Sequence, residues 1–161
     1  MKQHLWSPWR MKYIENHETD DGCIFCEALS QPDGDSNLIV FRSQFAFVIL
    51  NLFPYTTGHL MVVPYIHQPT LHLLDSATRS EMMELVTHAS QVLDKVYHPD
   101  GFNIGANIGT AAGAGVAEHV HIHVVPRWVG DSNFMSTLGD TRVLPESLKD
   151  TYKKLTSGWK L

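Results

Sequence analysis

Three histidines stand at alternate positions in a short apolar run. His119, His121 and His123 belong to the run His-Val-His-Ile-His-Val-Val, residues 119–125. The β-branched residues between them favour a strand, in which residues two apart point to the same face. We therefore expect one row of imidazoles with Cα atoms about 6.6 to 6.8 Å apart along the strand. The residues expected on the opposite, buried face are Val120, Ile122 and Val124.

A row of imidazoles has two common uses in proteins. Neutral rings can bind a metal, or one ring can act as nucleophile or base because its ordinary pKa is about 6.5. The preceding loop favours phosphate chemistry, since Gly109, Gly113 and Gly115 allow backbone amides to approach an anion closely. The alternative is a long connection of small residues. The loop before the histidines is not a Walker loop, because no Gly-Lys-Ser/Thr follows it.

A pair of cysteines near the start of the chain has the spacing of a metal clip or a redox pair. Cys23 and Cys26 form a Cys-x-x-Cys motif, which also fits two half-buried thiols with no ligand. Zinc would need two further ligands. His67, in the turn after Pro64, and His119 are the candidates. A redox role is less favoured, because the pair does not lie in a βαβ context.

The elements that must position these residues can be predicted from their periodicity. Residues 23–30 fit a short helix, and 38–42 with 45–50 fit a hairpin. Residues 59–63 fit a third strand, and apolar residues at three- and four-residue steps predict a long helix capped by Asp75 or Ser76. Residues 102–106 and 119–125 would complete the sheet, and the tail 145–159 would hold a last helix. The class is α+β, with a mainly antiparallel sheet of about five strands and a long helix packed on one face.

Composition excludes several partner classes. The chain has 161 residues, 43% hydrophobic and 18% charged, with a net charge of −5. This charge gives no basic surface for a nucleic-acid polymer. The longest apolar stretches are far below the roughly 20 residues of a membrane span, and the start has no apolar signal core. Together with two closely spaced cysteines, these features predict a cytoplasmic protein without a membrane partner.

The sequence resembles the histidine triad (HIT) superfamily of nucleotide hydrolases and transferases. Residues 119–125 match its signature at every position, and Asn51–Pro54, Gly58–His59 and Pro64 resemble further family segments. The resemblance covers most of 23–131. It implies a single HIT-like domain over 1–161, with 1–21 as an N-terminal aromatic arm and 145–161 as a C-terminal tail or helix. The Trp6–Arg10 opening and the Val125–Phe134 continuation resemble a microbial branch related to diadenosine tetraphosphate phosphorylases.

The resemblance also implies a role for each matching residue. His121 would attack the α-phosphorus and form a nucleotidyl-histidine intermediate, with its other ring nitrogen held by an acceptor that the sequence does not name. His123 would polarise a phosphate oxygen or assist the leaving group, and His59 would lie beneath the site as a further catalytic histidine. The substrate-binding residues would be Asn51 at the ribose, where a turn-initiating Asn is the alternative, then Asn107, Gly113 and Gly115 at the phosphates.

The loop before the triad departs from the family pattern. Many relatives have Gln and Ser or Thr there, where this chain has Ala114, Gly115 and Val116. Phosphate binding would therefore depend on backbone amides, on Asn107, or on a basic residue such as Arg10 or Arg127. This departure weakens any substrate assignment taken from the hydrolase relatives.

The same resemblance implies two further metal ligands for the cysteine pair. Several relatives close a zinc site with two cysteines, a histidine after the third strand and the first triad histidine. The matching residues here are Cys23, Cys26, His67 and His119. A structural zinc is thus implied, and His119 would be a ligand while His121 and His123 remain catalytic.

Three functional hypotheses follow. The leading one is an enzyme that cleaves the phosphoanhydride of a dinucleoside polyphosphate through His121, with phosphate or water as acceptor. Histidine at the third triad position favours hydrolysis, whereas the terminal motifs favour a phosphorylase. The second is an AMP-binding partner protein with incidental turnover of nucleoside phosphoramidates. The third is catalysis by a metal bound directly to the triad. The family resemblance also implies a homodimer.

Overall fold

A five-stranded sheet with helices on both faces forms the molecule. The computed structural model describes residues 22–131 and 145–159. The elements in chain order are α1 (Ile24–Ser30), β1 (Ile39–Arg42), β2 (Ala46–Leu50), β3 (Leu60–Pro64), α2 (Ser76–Tyr97), β4 (Gly101–Gly105), β5 (Ile122–Arg127) and α3 (Leu148–Trp159). The strand order is β1-β2-β3-β5-β4, and every neighbouring pair is antiparallel. The predicted α+β class and sheet are therefore confirmed.

The long helix α2 covers one face of the sheet. Asp75 caps it by accepting a hydrogen bond from the Thr78 N–H at 2.8 Å, as predicted, and His98 ends it in the left-handed conformation at φ 48°. Burial of each large apolar side chain contributes about 1.5 to 3 kcal/mol. The buried apolar side chains of α2 are Met82, Leu85, Val86, Ala89, Val92 and Leu93, and the helix packs on β2, β3 and β5.

The short helix α1 covers the opposite face. Phe25 and Ala28 pack with Phe47, Ile49 and Met61 in a second apolar cluster. Because both faces of β2 are covered, all five of its residues are buried. This double cover explains why β2 is a continuous apolar run rather than an alternating one.

Glu81 of α2 fixes the turn between β1 and β2. Its carboxylate accepts hydrogen bonds from Ser43 Oγ at 2.6 Å, from the Gln44 N–H at 3.1 Å and from the Phe45 N–H. Burial pulls the pKa of Glu81 upward, but these hydrogen bonds outweigh burial and hold it below its ordinary value. The charged carboxylate thus attaches the β1–β2 hairpin to α2.

The histidine strand begins later than predicted. The ladder of β5 starts at Ile122, so His119 and His121 precede the strand and only His123 lies within it. The strand starts late because the segment before it bonds outside the sheet: the Val120 N–H donates to Gln68 O, in the turn after β3, at 2.7 Å. The histidine side is also not open to solvent: His119 and His121 are 0% and 4% exposed. The expected row of imidazoles is covered in part by α1, whose Phe25 ring lies 5.0 Å from the His121 ring.

Two other expectations concern segments that lie wholly or partly outside the described residues. The aromatic arm 1–21, with Trp6–Arg10, lies outside them, and so does the end of the Val125–Phe134 motif. The predicted last helix is present as α3 within the tail 145–159. Across residues 22–131 and 145–159, no helix has the length and apolar character to cross a membrane.

Candidate active site

A pocket of about 340 Å³ opens between α1, the end of β2 and the loop before β5. Its apolar wall includes Ile24, Phe25, Ala28, Leu38 and Ile49. The predicted site residues that line it are Asn51, Asn107, Gly113, Gly115, His121 and His123. A concave pocket lined by apolar side chains with a few polar groups is typical of a site for a small organic ligand.

His121 presents one ring nitrogen for chemistry. Its Nδ1 lies 2.9 Å from His119 O, and a carbonyl can only accept, so Nδ1 carries the proton and donates. Burial lowers the pKa of His121, while the bond to His119 O opposes this shift. The ring is therefore neutral near pH 7, and the lone pair of Nε2 is available as a nucleophile. The backbone carbonyl of His119 is the acceptor that the sequence left unnamed.

A second histidine pair sets the tautomer of His123. The Tyr55 N–H donates to His59 Nδ1 at 3.1 Å, so the proton of neutral His59 is on Nε2. His59 Nε2 lies 2.9 Å from His123 Nδ1 and donates to it. Neutral His123 then carries its own proton on Nε2. This series of bonds leaves the Nε2–H of His123 as a hydrogen-bond donor.

His59 does not line the pocket. It is 0% exposed and lies beneath His123, with which it shares the bond just described. The structure therefore places His59 where it can act through His123, and it does not bring His59 to the pocket surface with His121.

Asn51 forms the side-chain turn that was the alternative to a ribose contact. Its Oδ1 accepts the Phe53 N–H at 2.9 Å at the end of β2. Its Nδ2 lies 3.4 Å from His59 Nδ1. The turn holds the amide at the pocket that it lines.

The four predicted metal ligands converge at the start of α1. The donor atoms of Cys23, Cys26, His67 and His119 all lie within 4.8 Å of one another. Cys23 Sγ and Cys26 Sγ lie 3.2 and 3.8 Å from His119 Nδ1, and Cys26 Sγ lies 3.4 Å from His67 Nδ1. Tetrahedral Zn–S and Zn–N bonds would separate donors by about 3.3 to 3.8 Å. This cluster therefore fits a small divalent cation.

The surroundings of His119 also suit a metal ligand. Burial lowers its pKa, which favours the neutral ring that binds metal. Its Nε2 donates to Pro64 O at 2.8 Å, leaving Nδ1 toward the cysteines. Burial and the adjacent Cys23 raise the pKa of the Cys26 thiol, a shift that a bound cation would oppose. In the described residues the metal cluster takes only His119 from the triad, so nothing supports a metal on His121.

The pocket lining lacks a cationic side chain among the described residues. Arg127, one of the basic candidates for phosphate, does not line the pocket. It bonds to Asp131 at 2.6 and 2.7 Å and to Asn103 at 2.6 Å, at the far end of β5. Arg10 lies outside the described residues. Phosphate contacts from the described part of the chain would therefore come from amides and histidines.

Sequence reasoning missed the wall residues of the pocket. Phe25 and Leu38 belong to no chemical motif. Leu38 lines the pocket with a left-handed backbone at φ 60°, a conformation that a leucine in a sequence does not predict. Phe25 is a large aromatic residue of a short predicted helix, which favours burial but does not identify the pocket wall. The amide of Tyr55 could not be identified either, since any residue other than proline supplies one.

The fold and this site define a class, and the comparisons with known proteins agree. The HIT domain family model matches residues 34–129, and the chain belongs to this family. The chain is 40% identical to an AP-4-A phosphorylase of Mycobacterium tuberculosis over 165 residues, which cover 98% of this chain and 84% of that protein. It is 32% identical over 93 residues to an asymmetrical bis(5'-nucleosyl)-tetraphosphatase of Schizosaccharomyces pombe, covering 58% of this chain and 50% of that one.

The solved structures agree with this assignment. A Zn-bound histidine triad family protein of Mycobacterium smegmatis matches with a TM-score of 0.69 and 26% identity, over 86% of this chain and 94% of that one. The chain is thus similar to nucleotide-processing enzymes of its family along nearly its full length.

Proposed function

We propose that this protein cleaves the phosphoanhydride of a dinucleoside polyphosphate, such as diadenosine tetraphosphate, through a covalent nucleotidyl intermediate on His121. The observation that carries the proposal is the bond from His121 Nδ1 to His119 O at 2.9 Å, which leaves Nε2 as a lone pair facing the pocket. The similarity to an AP-4-A phosphorylase supports the choice of substrate.

The reaction has two displacements at one phosphorus atom. First, His121 Nε2 attacks the α-phosphorus; a P–N bond forms while the bond to the bridging oxygen breaks, and ATP leaves. The Nε2–H of His123 bonds to a phosphate oxygen where negative charge develops. Second, an oxygen of the acceptor attacks the same phosphorus, the P–N bond breaks, and His121 regains its neutral ring. Phosphate as acceptor gives ADP, and water gives AMP.

We propose phosphate as the preferred acceptor. This choice follows the relative that matches nearly the whole chain, an AP-4-A phosphorylase. The relative named as a tetraphosphatase matches a shorter stretch, 58% of this chain. Phosphorolysis predicts ADP and ATP as the products from diadenosine tetraphosphate, whereas hydrolysis predicts AMP and ATP.

One experiment tests substrate, acceptor and nucleophile together. The protein is incubated with diadenosine tetraphosphate with and without inorganic phosphate, and the products are separated by chromatography. We expect continuous formation of ADP and ATP only when phosphate is present; when it is absent, the reaction should stop after about one ATP per site and leave an AMP moiety on the protein, detected by intact mass. His121→Ala should abolish both, whereas His72→Ala, at an exposed position outside the pocket lining, should not. Full turnover in His121→Ala would refute the covalent route.

We also propose that the Cys/His cluster holds structural zinc. Two thiolates and two imidazoles form a common zinc donor set, and a zinc-bound relative of this fold is known. We expect about one zinc atom per chain by elemental analysis and loss of that zinc in Cys23→Ser. Wild-type protein that is purified from zinc-containing medium without bound metal would contradict this proposal.

Two wider proposals follow from the same residues. The cysteines are free thiols in a site that needs them reduced, which fits a cytoplasmic protein.

A homodimer is implied by the family, and β4 at the edge of the sheet, with Ile104 49% exposed, offers a strand for pairing. Light scattering on the purified full chain should give twice the monomer mass.

A further inference from the structure

The helix α1 borders two sites at once. On one side, Cys23 precedes its first turn and Cys26 lies within it, and both thiols contact the histidines of the metal cluster. On the other side, Ile24, Phe25 and Ala28 form part of the pocket wall. One seven-residue helix is therefore shared by the metal cluster and the proposed nucleotide pocket.

Few other interactions hold the first turn of α1. A seven-residue helix is too short to be stable by itself, and no side chain caps its start at Cys23. Phe25 is the one residue of the first turn that is buried, whereas the end of the helix is also held by the buried Ala28, whose carbonyl accepts a hydrogen bond from Asn37 Nδ2 at 3.3 Å. A cation shared by Cys23, Cys26 and the two histidines would connect the weakly held turn to the rest of the protein.

Phe25 transmits the position of this turn to the nucleophile. Its ring is 1% exposed and lies 5.4 Å from the His119 ring and 5.0 Å from the His121 ring, centroid to centroid. It thus fills the space between the metal cluster and His121. A displacement of the first turn would move this ring and change the wall against which a nucleoside packs.

We propose that a cation bound by Cys23, Cys26, His67 and His119 positions α1 as the wall of the nucleotide pocket, so that nucleotide affinity depends on the cation. This inference rests on the proposed function only in assuming that the pocket binds a nucleotide. Cys23 and Cys26 are then positioning residues for binding, beyond any contribution to stability. Thermodynamic linkage requires the reverse effect as well: bound nucleotide must strengthen cation binding by the same factor.

The test measures AMP affinity by titration calorimetry in three states of the full chain: zinc-loaded, stripped by a chelator that is then removed, and stripped protein resupplied with zinc. If α1 is docked in about a tenth of the stripped molecules, the AMP dissociation constant rises about tenfold. Added zinc should restore it in wild type and not in Cys26→Ser. Equal affinity in loaded and stripped protein would overturn the inference, whereas no AMP binding to loaded protein would refute the nucleotide pocket itself.

Two controls separate positioning from general destabilisation. Glu81→Gln weakens the fold at the β1–β2 turn, away from α1 and the pocket, and should leave AMP affinity within twofold when zinc is bound. Hydrogen exchange on zinc removal should quicken in residues 24–30 and not in β2 or β3. Quickened exchange throughout the chain would count against the proposal, because zinc would then support the whole fold rather than position α1.

Discussion

Replacement of His59 by Phe tests the histidine pair beneath the pocket. His59 is fully buried and donates to His123 Nδ1 at 2.9 Å while accepting from the Tyr55 N–H at 3.1 Å. Phenylalanine keeps the buried ring and removes these two hydrogen bonds, together with the longer contact from Asn51 Nδ2 at 3.4 Å. The Tyr55 N–H and His123 Nδ1 lose a partner at about 1 to 3 kcal/mol each, so we expect the free energy of unfolding to fall by roughly 2 to 6 kcal/mol.

The effect on catalysis should be smaller and should pass through His123. A net hydrogen bond of about 0.5 to 1.5 kcal/mol no longer fixes the His123 proton on Nε2, so kcat should fall by up to about tenfold. Loss of the donor itself in His123→Ala should cost about 10² to 10³ in kcat. The KM for diadenosine tetraphosphate should change little in His59→Phe, because His59 does not line the pocket.

A double-mutant cycle decides between the two roles. If His59 acts only through His123, adding His59→Phe to His123→Ala should leave kcat unchanged. The assay is phosphate-dependent ADP formation, run on variants whose folding is confirmed by urea denaturation. Losses that multiply in the double variant would refute the argument and give His59 an independent role.

Three further predictions concern the scaffold, each measured by urea denaturation. Glu81→Gln should lower the free energy of unfolding by about 1 to 3 kcal/mol at pH 7. Because the pKa of Glu81 is lowered in the folded state, the stabilisation by its carboxylate is lost as pH falls through that pKa. The difference between wild type and variant should therefore shrink below about pH 4, and a difference that stays constant with pH would contradict the argument. Gly58→Ala should destabilise, since Gly58 has φ +82° and a Cβ there would lie 2.9 Å from Leu93 Cδ2; unchanged stability would show that the loop adapts. Asp75→Ala should cost about 1 kcal/mol through loss of the helix cap, and no change would mean that water replaces it.

The sequence predicted elements well where periodicity and capping agree. The hairpin and the α2 cap at Asp75 depend on local spacing, and local spacing is preserved in the fold. The start of β5 was wrong, because a strand begins where a partner is available, and β3 pairs with β5 only from Ile122. Pairing partners are set by tertiary structure, which residue types do not state.

The site was predictable in its reactive groups and not in its supports. Histidines and cysteines are rare enough that spacing identifies them, and the structure brings His121 and His123 to one pocket and Cys23 and His119 to one cluster. Periodicity does not place His59 beneath His123, a position that the family resemblance alone implied, and the use of α1 as a cover depends on long-range packing. The resemblance to a family supplied the grouping that periodicity alone left open.

The acceptor that orients His121 is a main-chain carbonyl, and this has a consequence for genetics. In nucleophile sites oriented by an aspartate, one substitution removes the orienting group. Here every residue placed at position 119 still carries the carbonyl oxygen that receives the His121 proton. A scan of all substitutions should therefore find no residue whose side chain sets this tautomer. Variants that lose it would have to shift the backbone between 119 and 121, so they should cluster at positions that hold that segment against its neighbours.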